Sequence, residues 1–281
     1  MFLRTNLKTM TMKFICQKKK VSEDYHNMQT FGEHLEVLRK MLFKTCILSF
    51  AIAIVIFFLK DQVFSLILAP CSSDFITYDL INKICFFLGS NDKIHYAPIE
   101  LIATDLSSQF LAHMSLSLYL GILLSSPFIL YELFRFISPA LYDNERKYSV
   151  NVVTTSYLLF LIGIIVSYFI LFPLSCRFLE SYSVSEDVKT MVTLDSYIST
   201  FVSLTLLMGL VFQLPIISFF LAKMGVITHS IMTNYRKHAF ILILIVAAII
   251  TPPDVMTLIL VSFPLYILYE VSILVVKFSD R

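Results

Sequence analysis

Four apolar runs, Leu42–Leu59, Phe110–Leu130, Val152–Pro173 and Ile198–Leu221, restrict this chain more than any other feature. At a rise of about 1.5 Å per residue, a helix of roughly 18 residues or more crosses the ~30 Å hydrocarbon layer of a bilayer. Two runs with less unbroken apolar length follow, Ala239–Ile250 and Val255–Val276, the second interrupted by Glu270. Between them stands Thr251-Pro252-Pro253-Asp254. Two prolines forbid a continuing helix, because each lacks an N–H and its ring clashes with the preceding turn. The pair reads as a short helical hairpin in preference to one long kinked span, and a hairpin that barely crosses must thin the lipid around it. Composition agrees: 57% hydrophobic residues and only 15% charged leave more apolar surface than a soluble monomer can hide, and disorder needs the opposite balance. A net charge of +2 is far from the strongly basic signature of a nucleic-acid binder. The runs are continuous, not alternating, so they predict helices and not barrel strands. The expected fold is therefore all-α and polytopic, with six transmembrane helices at about 42–59, 110–130, 152–173, 198–221, 239–250 and 255–276. An N-terminal tail (1–41), the membrane domain (42–277) and a short C-terminal tail (278–281) complete the division.

Lysine and arginine orient the spans. Of 22 such residues, sixteen lie in the two termini and in the loops after the second and fourth runs, and five in the remaining loops. Both termini are thus placed on one side, the N-side, equivalent to the cytosol. The segment with Lys223, Arg236 and Lys237 contains no acid and votes most cleanly. The opposite loops, Lys60–Gln109 and Leu174–Tyr197, are long and acidic. Loops of that length are functional or locally folded. Two amphipathic pieces, Asp61–Ala69 and Ile99–Leu111, predict short helices over the outer face. Cys71 and Cys85 share an outer loop and could pair in an oxidising compartment, although free thiols are the simpler reading.

Three polar constellations stand out. Thr30 and Glu33 form a capping box that starts a helix ahead of the first span, with Glu36 spaced to meet Arg39 and Lys40 on its surface. After the second span comes Phe136-Ile137-Ser138-Pro139-Ala140-Leu141-Tyr142-Asp143-Asn144-Glu145-Arg146. Asp143 and Glu145 suit the first turn of the next helix. Yet a carboxylate beside aromatics on the positive face is also a receptor for a guanidinium, since hydrogen bonds to charged groups are worth ~1.5–3 kcal/mol. In the fourth span Gln213 precedes Pro215 by two residues. Its amide either satisfies its own kinked helix, binds a neighbouring helix, or offers a polar spot to a guest helix.

These stretches, together with His34-Leu35-Glu36-Val37-Leu38-Arg39, Ile102-Ala103-Thr104-Asp105, Ser126-Pro127-Phe128-Ile129-Leu130-Tyr131 and Thr251-Pro252-Pro253-Asp254-Val255, resemble in order the signature motifs of the TatC family. That family is the core receptor of the twin-arginine protein translocase, and the resemblance covers about residues 30–278. It implies six spans with the last two short, a glove-like concave shape, no enzymatic activity and no cofactor. It implies a signal peptide whose paired arginines meet N-side carboxylates and whose apolar part lies in the concave face. TatA- and TatB-like single-span partners, self-association and a proton-motive force driving transport also follow. Carried over by position, Glu145, Phe136, Leu141 and Arg39 are the signal-peptide residues, with Glu36 beside them. Gln213, Pro215 and Asp254 are the intramembrane polar or partner contacts. Three departures matter. Val37 stands where the family has a second glutamate, Gln213 where it often has glutamate, and Leu258 where some members have glutamine. With one receptor carboxylate displaced to Glu36, a relaxed twin-arginine requirement is expected. The absence of tryptophan and the 26 phenylalanines resemble the mitochondrion-encoded branch, whose N-side is the matrix; a bacterial plasma membrane or a thylakoid is the alternative.

Other classes fit less well. A small-solute transporter would bury a chain of ionisable groups, whereas these spans hold only Lys44 and Glu270 near their ends. A haem subunit would need histidines in the spans, and only His113 lies in one. A structural subunit of a membrane complex remains a second alternative.

Overall fold

The computed structural model describes residues 31–87, 97–137, 149–182, 191–251 and 254–279. They belong to two compact units, one ending at Cys46 and one beginning at Ile47. Helix α1, Phe31–Phe58, runs 28 residues without a break, so the expected interfacial helix and first span are one element. No glycine or proline interrupts it after Gly32. Then follow α2 (Lys60–Leu68), a single 3₁₀ turn, α3 (Ile76–Phe87) and the two-residue strand β1 (Leu101–Ile102). The second span is α4 (Ser108–Ile137). The third is α5 (Ser149–Val166), a wide π turn at Ser167–Leu171 and α6 (Phe172–Ser181). After strand β2 (Val192–Thr193), the fourth span comprises α7 (Leu194–Val211) and α8 (Leu214–Lys223). Short α9 (His229–Asn234) leads to α10 (Arg236–Ile250) and α11 (Val255–Ser279).

Among the described residues six stretches are long and apolar enough to cross a membrane: Leu35–Phe58, Lys60–Lys83, Ser108–Phe136, Val152–Ser181, Leu194–Lys223 and Val255–Phe278. Five of them match expected spans, four containing them whole and Leu35–Phe58 ending one residue short of Leu59. The expected fifth span is α10, at 15 residues about 22 Å long. Shortness is confined to it, because α11 has 25 residues. The chain leaves helix at Thr251, whose ψ of 155° is extended, and α10 packs on α11; the hairpin reading holds and the single kinked span does not. Lys60–Lys83 is not one helix but α2 and α3, parted at Pro70 and an irregular 72–75.

The described parts of the outer loops are folded rather than slack. Asp61–Ala69 is helical as expected, but Ile99–Leu111 is not. Leu101 and Ile102 pair in parallel with Val192 and Thr193, and helix resumes only at Ser108, whose hydroxyl donates to Asp195 Oδ2 at 2.6 Å. The backbone ladder with the second outer loop overrides the amphipathic period. Tyrosines close the end of α2: Tyr168 OH donates to Leu66 O at 2.7 Å and Tyr197 OH to Ile67 O at 2.8 Å. Both carbonyls belong to the last helical turn, where i+4 donors run out; Leu66 O also accepts the Ala69 N–H. Pro173 similarly deprives Phe169 O of its partner, and the Thr77 hydroxyl supplies one.

Arg177 holds this outer assembly together. It is 8% exposed and donates through Nη1 to Ala97 O and to Glu180 Oε2 at 3.1 Å. Through Nη2 it reaches Cys71 O at 3.5 Å and Ser72 O at 3.4 Å, while its guanidinium lies 4.7 Å from the Tyr78 ring centroid.

Spans three and four pack backbone to ring. A Cβ on Gly163 would stand 2.8 Å from Met208 O and 3.0 Å from the Phe212 ring, and one on Gly209 would stand 2.7 Å from the Phe160 ring. Apolar lipid gives helices no hydrophobic reason to associate, so close packing at small residues must do it. Gly163→Ala is expected to destabilise the protein by about 1–3 kcal/mol. Gly209→Ala should cost less, because a ring can swing aside and a backbone carbonyl cannot. Thermal unfolding in detergent would reverse this order if the two helices met through side chains alone.

Candidate functional site

Of the residues expected to bind a signal peptide, Glu36 and Arg39 lie in the first unit and are exposed. Glu36 Oε1 meets Lys40 Nζ at 2.8 Å, one turn on, an ordinary solvated pair. Phe136 lies half-buried in the last turn of α4. Leu141 and Glu145 fall outside the described residues, as do the side chains of Glu33 and Cys85 and the residue Asp143. Cys71 and Cys176 are free thiols, as is Cys46.

One turn before Phe136 stands a carboxylate that sequence reasoning missed. Glu132 is 9% exposed, and its nearest cation among the described residues is Arg135 Nη1 at 3.7 Å, too far for a hydrogen bond. The end of α4 is braced against α8 by Phe134 and Phe220, whose ring centroids are 5.4 Å apart. A charged residue inside the apolar approach to Phe136 was the available signal.

Deeper in the membrane Gln213 has a partner on the third span. Its Nε2 donates to Ser156 O at 3.1 Å, and the Ser156 hydroxyl donates to Gln213 Oε1. Ser156 is fully buried and Gln213 nearly so. Of the roles left open by sequence, the amide therefore binds a neighbouring helix. Ser156 was missed because a lone serine in an apolar run has no signature until its partner is known. Pro215 does more than kink the fourth span. It sits in the first turn of α8, after a break at Phe212–Gln213, where a missing N–H costs nothing. Gln213→Leu should cost about 1 kcal/mol, and a double-mutant cycle with Ser156→Ala should recover most of that as coupling; zero coupling would contradict the pair.

Asp254 begins α11 as its cap, accepting Thr257 N–H on Oδ1 at 2.6 Å. Glu270, the anomaly of the last span, is paired across the hairpin: Arg236 Nη2 reaches its Oε2 at 2.9 Å, and Tyr266 OH donates to Oε1 at 3.1 Å. Of these contacts, the Arg236–Glu270 pair ties α10 to α11.

The structure thus defines a multi-pass helical membrane protein in which Gln213 joins the third and fourth spans and Glu270 joins the last hairpin. Residues 33–264 match the family described as Sec-independent protein translocase protein (TatC). TatCy of Bacillus subtilis (strain 168) is 34% identical over 255 residues, covering 91% of each chain. TatC of Blattabacterium sp. subsp. Periplaneta americana is 36% identical over 251 residues, covering 88% of this chain and 94% of that one. A crystal structure of the twin arginine translocase receptor TatC aligns with a TM-score of 0.71 at 32% identity, covering 89% of this chain and 100% of that chain. The chain belongs to the TatC family of Sec-independent translocase proteins.

Proposed function

We propose that this protein is the membrane receptor and core subunit of a Sec-independent translocase that moves folded proteins across an energised membrane. The family match over 33–264 carries this reading, supported by a fold shared along the whole of a twin arginine translocase receptor. In the proposal the signal peptide's arginines bind on the N-side at Glu145, with Glu36, Arg39, Phe136 and Leu141 around them, and its apolar stretch lies against the helices. Glu132 adds a second acidic group beside Phe136. The charge bias supports both termini on the N-side; the phenylalanine-rich, tryptophan-free composition supports the mitochondrial inner membrane, with the termini in the matrix. Partners are single-span TatA- or TatB-like proteins and further copies of the chain, with Asp254 and Pro215 as candidate contacts for them. Residues 42–277 act as the membrane domain and 1–41 as an N-side tail. The activity is binding and assembly, with no bond made or broken by the chain.

Depletion of the protein should strand a folded reporter carrying a twin-arginine signal on the N-side. The purified protein should bring down small single-span proteins in a large detergent-stable assembly. A reporter that still crosses after depletion, with the chain purifying alone, would overturn the proposal.

A further inference from the structure

Lys60–Lys83 is apolar and long enough to cross a membrane, yet the joint between α2 and α3 is tied to the outer ends of other spans. The last turn of α2 is bonded to Tyr168 and Tyr197. The start of α3 meets the same level. The Thr77 hydroxyl donates to Phe169 O, and the Phe75 ring stacks on Phe169 at 5.8 Å and stands edge-on to Tyr168 at 5.7 Å. From Thr77 to Phe87 the helix rises only about 15 Å, too little to reach the far face of a ~30 Å hydrocarbon layer. The depth of that start can be counted along span three. Phe169 lies about 26 Å beyond Val152 at 1.5 Å per residue, four residues short of Pro173, where the apolar run ends. Ile170 beside it is exposed, so hydrocarbon surrounds the protein at that level. Helix α3 itself has two faces. At about 100° per residue, Ile76, Leu80, Lys83 and Phe87 fall within roughly 60° of one another, and all four are exposed. Tyr78 lies on the opposite side and is buried. Its ring centroid is 4.7 Å from the Arg177 guanidinium, and its hydroxyl donates to Pro70 O at 2.7 Å. Three large apolar side chains therefore face away from the protein.

We infer that α3 is an interfacial anchor: it lies in the outer leaflet with Ile76, Leu80 and Phe87 among the acyl chains, and so holds the outer loops against the bilayer. Three observations select lipid over protein as the occupant. The level fixed by Thr77 and Phe169 is that of acyl chains. The stripe is narrower than the face of about 100° or more that a helix buries against a protein core. Finally, Lys83 stands within the stripe. There its aliphatic stem lies on apolar surface while the ammonium rises to the headgroups, whereas a protein interface would bury that charge. Asp79, at the edge of the stripe, balances Lys83, so the anchor depends on apolar insertion and not on anionic lipid.

The chain contains no tryptophan, so one introduced indole reports without background. Phe87→Trp places it on the stripe at a position 91% exposed. Glu100→Trp, at an exposed carboxylate on the approach to β1, serves as the control in water. Each variant is reconstituted in phosphatidylcholine with brominated chains, and acrylamide is the aqueous quencher. Bromine should quench Phe87→Trp at least about threefold more than the control, and more from positions near the ester than from mid-chain, since such helices insert about 5–10 Å. Acrylamide should reverse the order of the two variants. Replacing phosphatidylcholine by phosphatidylglycerol should change neither result. Adding Leu80→Asp, a carboxylate on the same stripe, should cut bromine quenching of Phe87→Trp and raise acrylamide quenching to the level of the control. Acrylamide quenching equal to the control without Leu80→Asp would put the stripe in water and overturn the proposal. Protection from both quenchers would put a protein segment over it, and quenching that requires phosphatidylglycerol would replace apolar insertion by charge; either result overturns the proposal. So does quenching that Leu80→Asp leaves unchanged, because the indole alone would then be seeking lipid.

Discussion

Replacing Arg177 with methionine is expected to destabilise the protein by about 3 kcal/mol or more, most of a typical margin of stability. The side chain is nearly buried, and its loss takes the guanidinium donors from the carbonyls of Ala97 and Ser72 and from the carboxylate of Glu180, while Cys71 O keeps the Ile99 N–H at 3.0 Å. Each buried acceptor left without a donor costs about 1–3 kcal/mol, and a charged one more. These partners come from segments that share no helix: the turn after α2, the approach to β1, and α6. Losing the guanidinium should therefore free the outer loops before the spans separate. Protease cleavage between residues 71 and 99 should appear well below the global unfolding temperature. Lysine should not rescue, because a single ammonium cannot span donors that a planar fork divides between its two Nη atoms. A methionine variant with unchanged unfolding and no new cleavage would show that the network follows the packing and does not cause it.

The second large effect concerns recognition. Glu145→Gln should weaken binding of a twin-arginine signal peptide by about 10- to 100-fold, the loss of one charge-assisted guanidinium contact worth ~1.5–3 kcal/mol. Glu36→Gln should do much less, because Glu36 is exposed and already satisfied by Lys40 at 2.8 Å. With Val37 in place of the family's second glutamate, changing one arginine of the peptide to lysine should also be cheap. Equilibrium binding of a fluorescent peptide to protein in nanodiscs measures all three. Equal losses at Glu36 and Glu145 would restore a strict two-carboxylate reader, and no loss at Glu145 would reject its role.

Hydropathy alone located five of the spans, because a bilayer imposes length and apolarity on any helix that crosses it. The double proline at 252–253 likewise announced the hairpin. Where sequence reasoning erred, the deciding interaction was between segments far apart in the chain. The pairing of Leu101 and Ile102 with Val192 and Thr193 turned a predicted amphipathic helix into extended chain. The Ser156–Gln213 pair settled an open choice for Gln213. Arg177 looked like an outer-loop cation until the carbonyls around it were placed. The candidate site was legible as motif order, not as geometry: Glu145 and Leu141 are known by their place in the pattern, while Glu132 became visible only once its burial was seen.

The proposed function requires a signal peptide held at the N-side end of the second span. A photoreactive amino acid introduced at Phe136 or Leu141 should cross-link to a twin-arginine signal peptide, and that product should vanish when both arginines are changed to glutamine or when Glu145 becomes glutamine. The same probe at Ile102, on strand β1, should give no product. Cross-links at Ile102 with none at Phe136 or Leu141 would contradict the account.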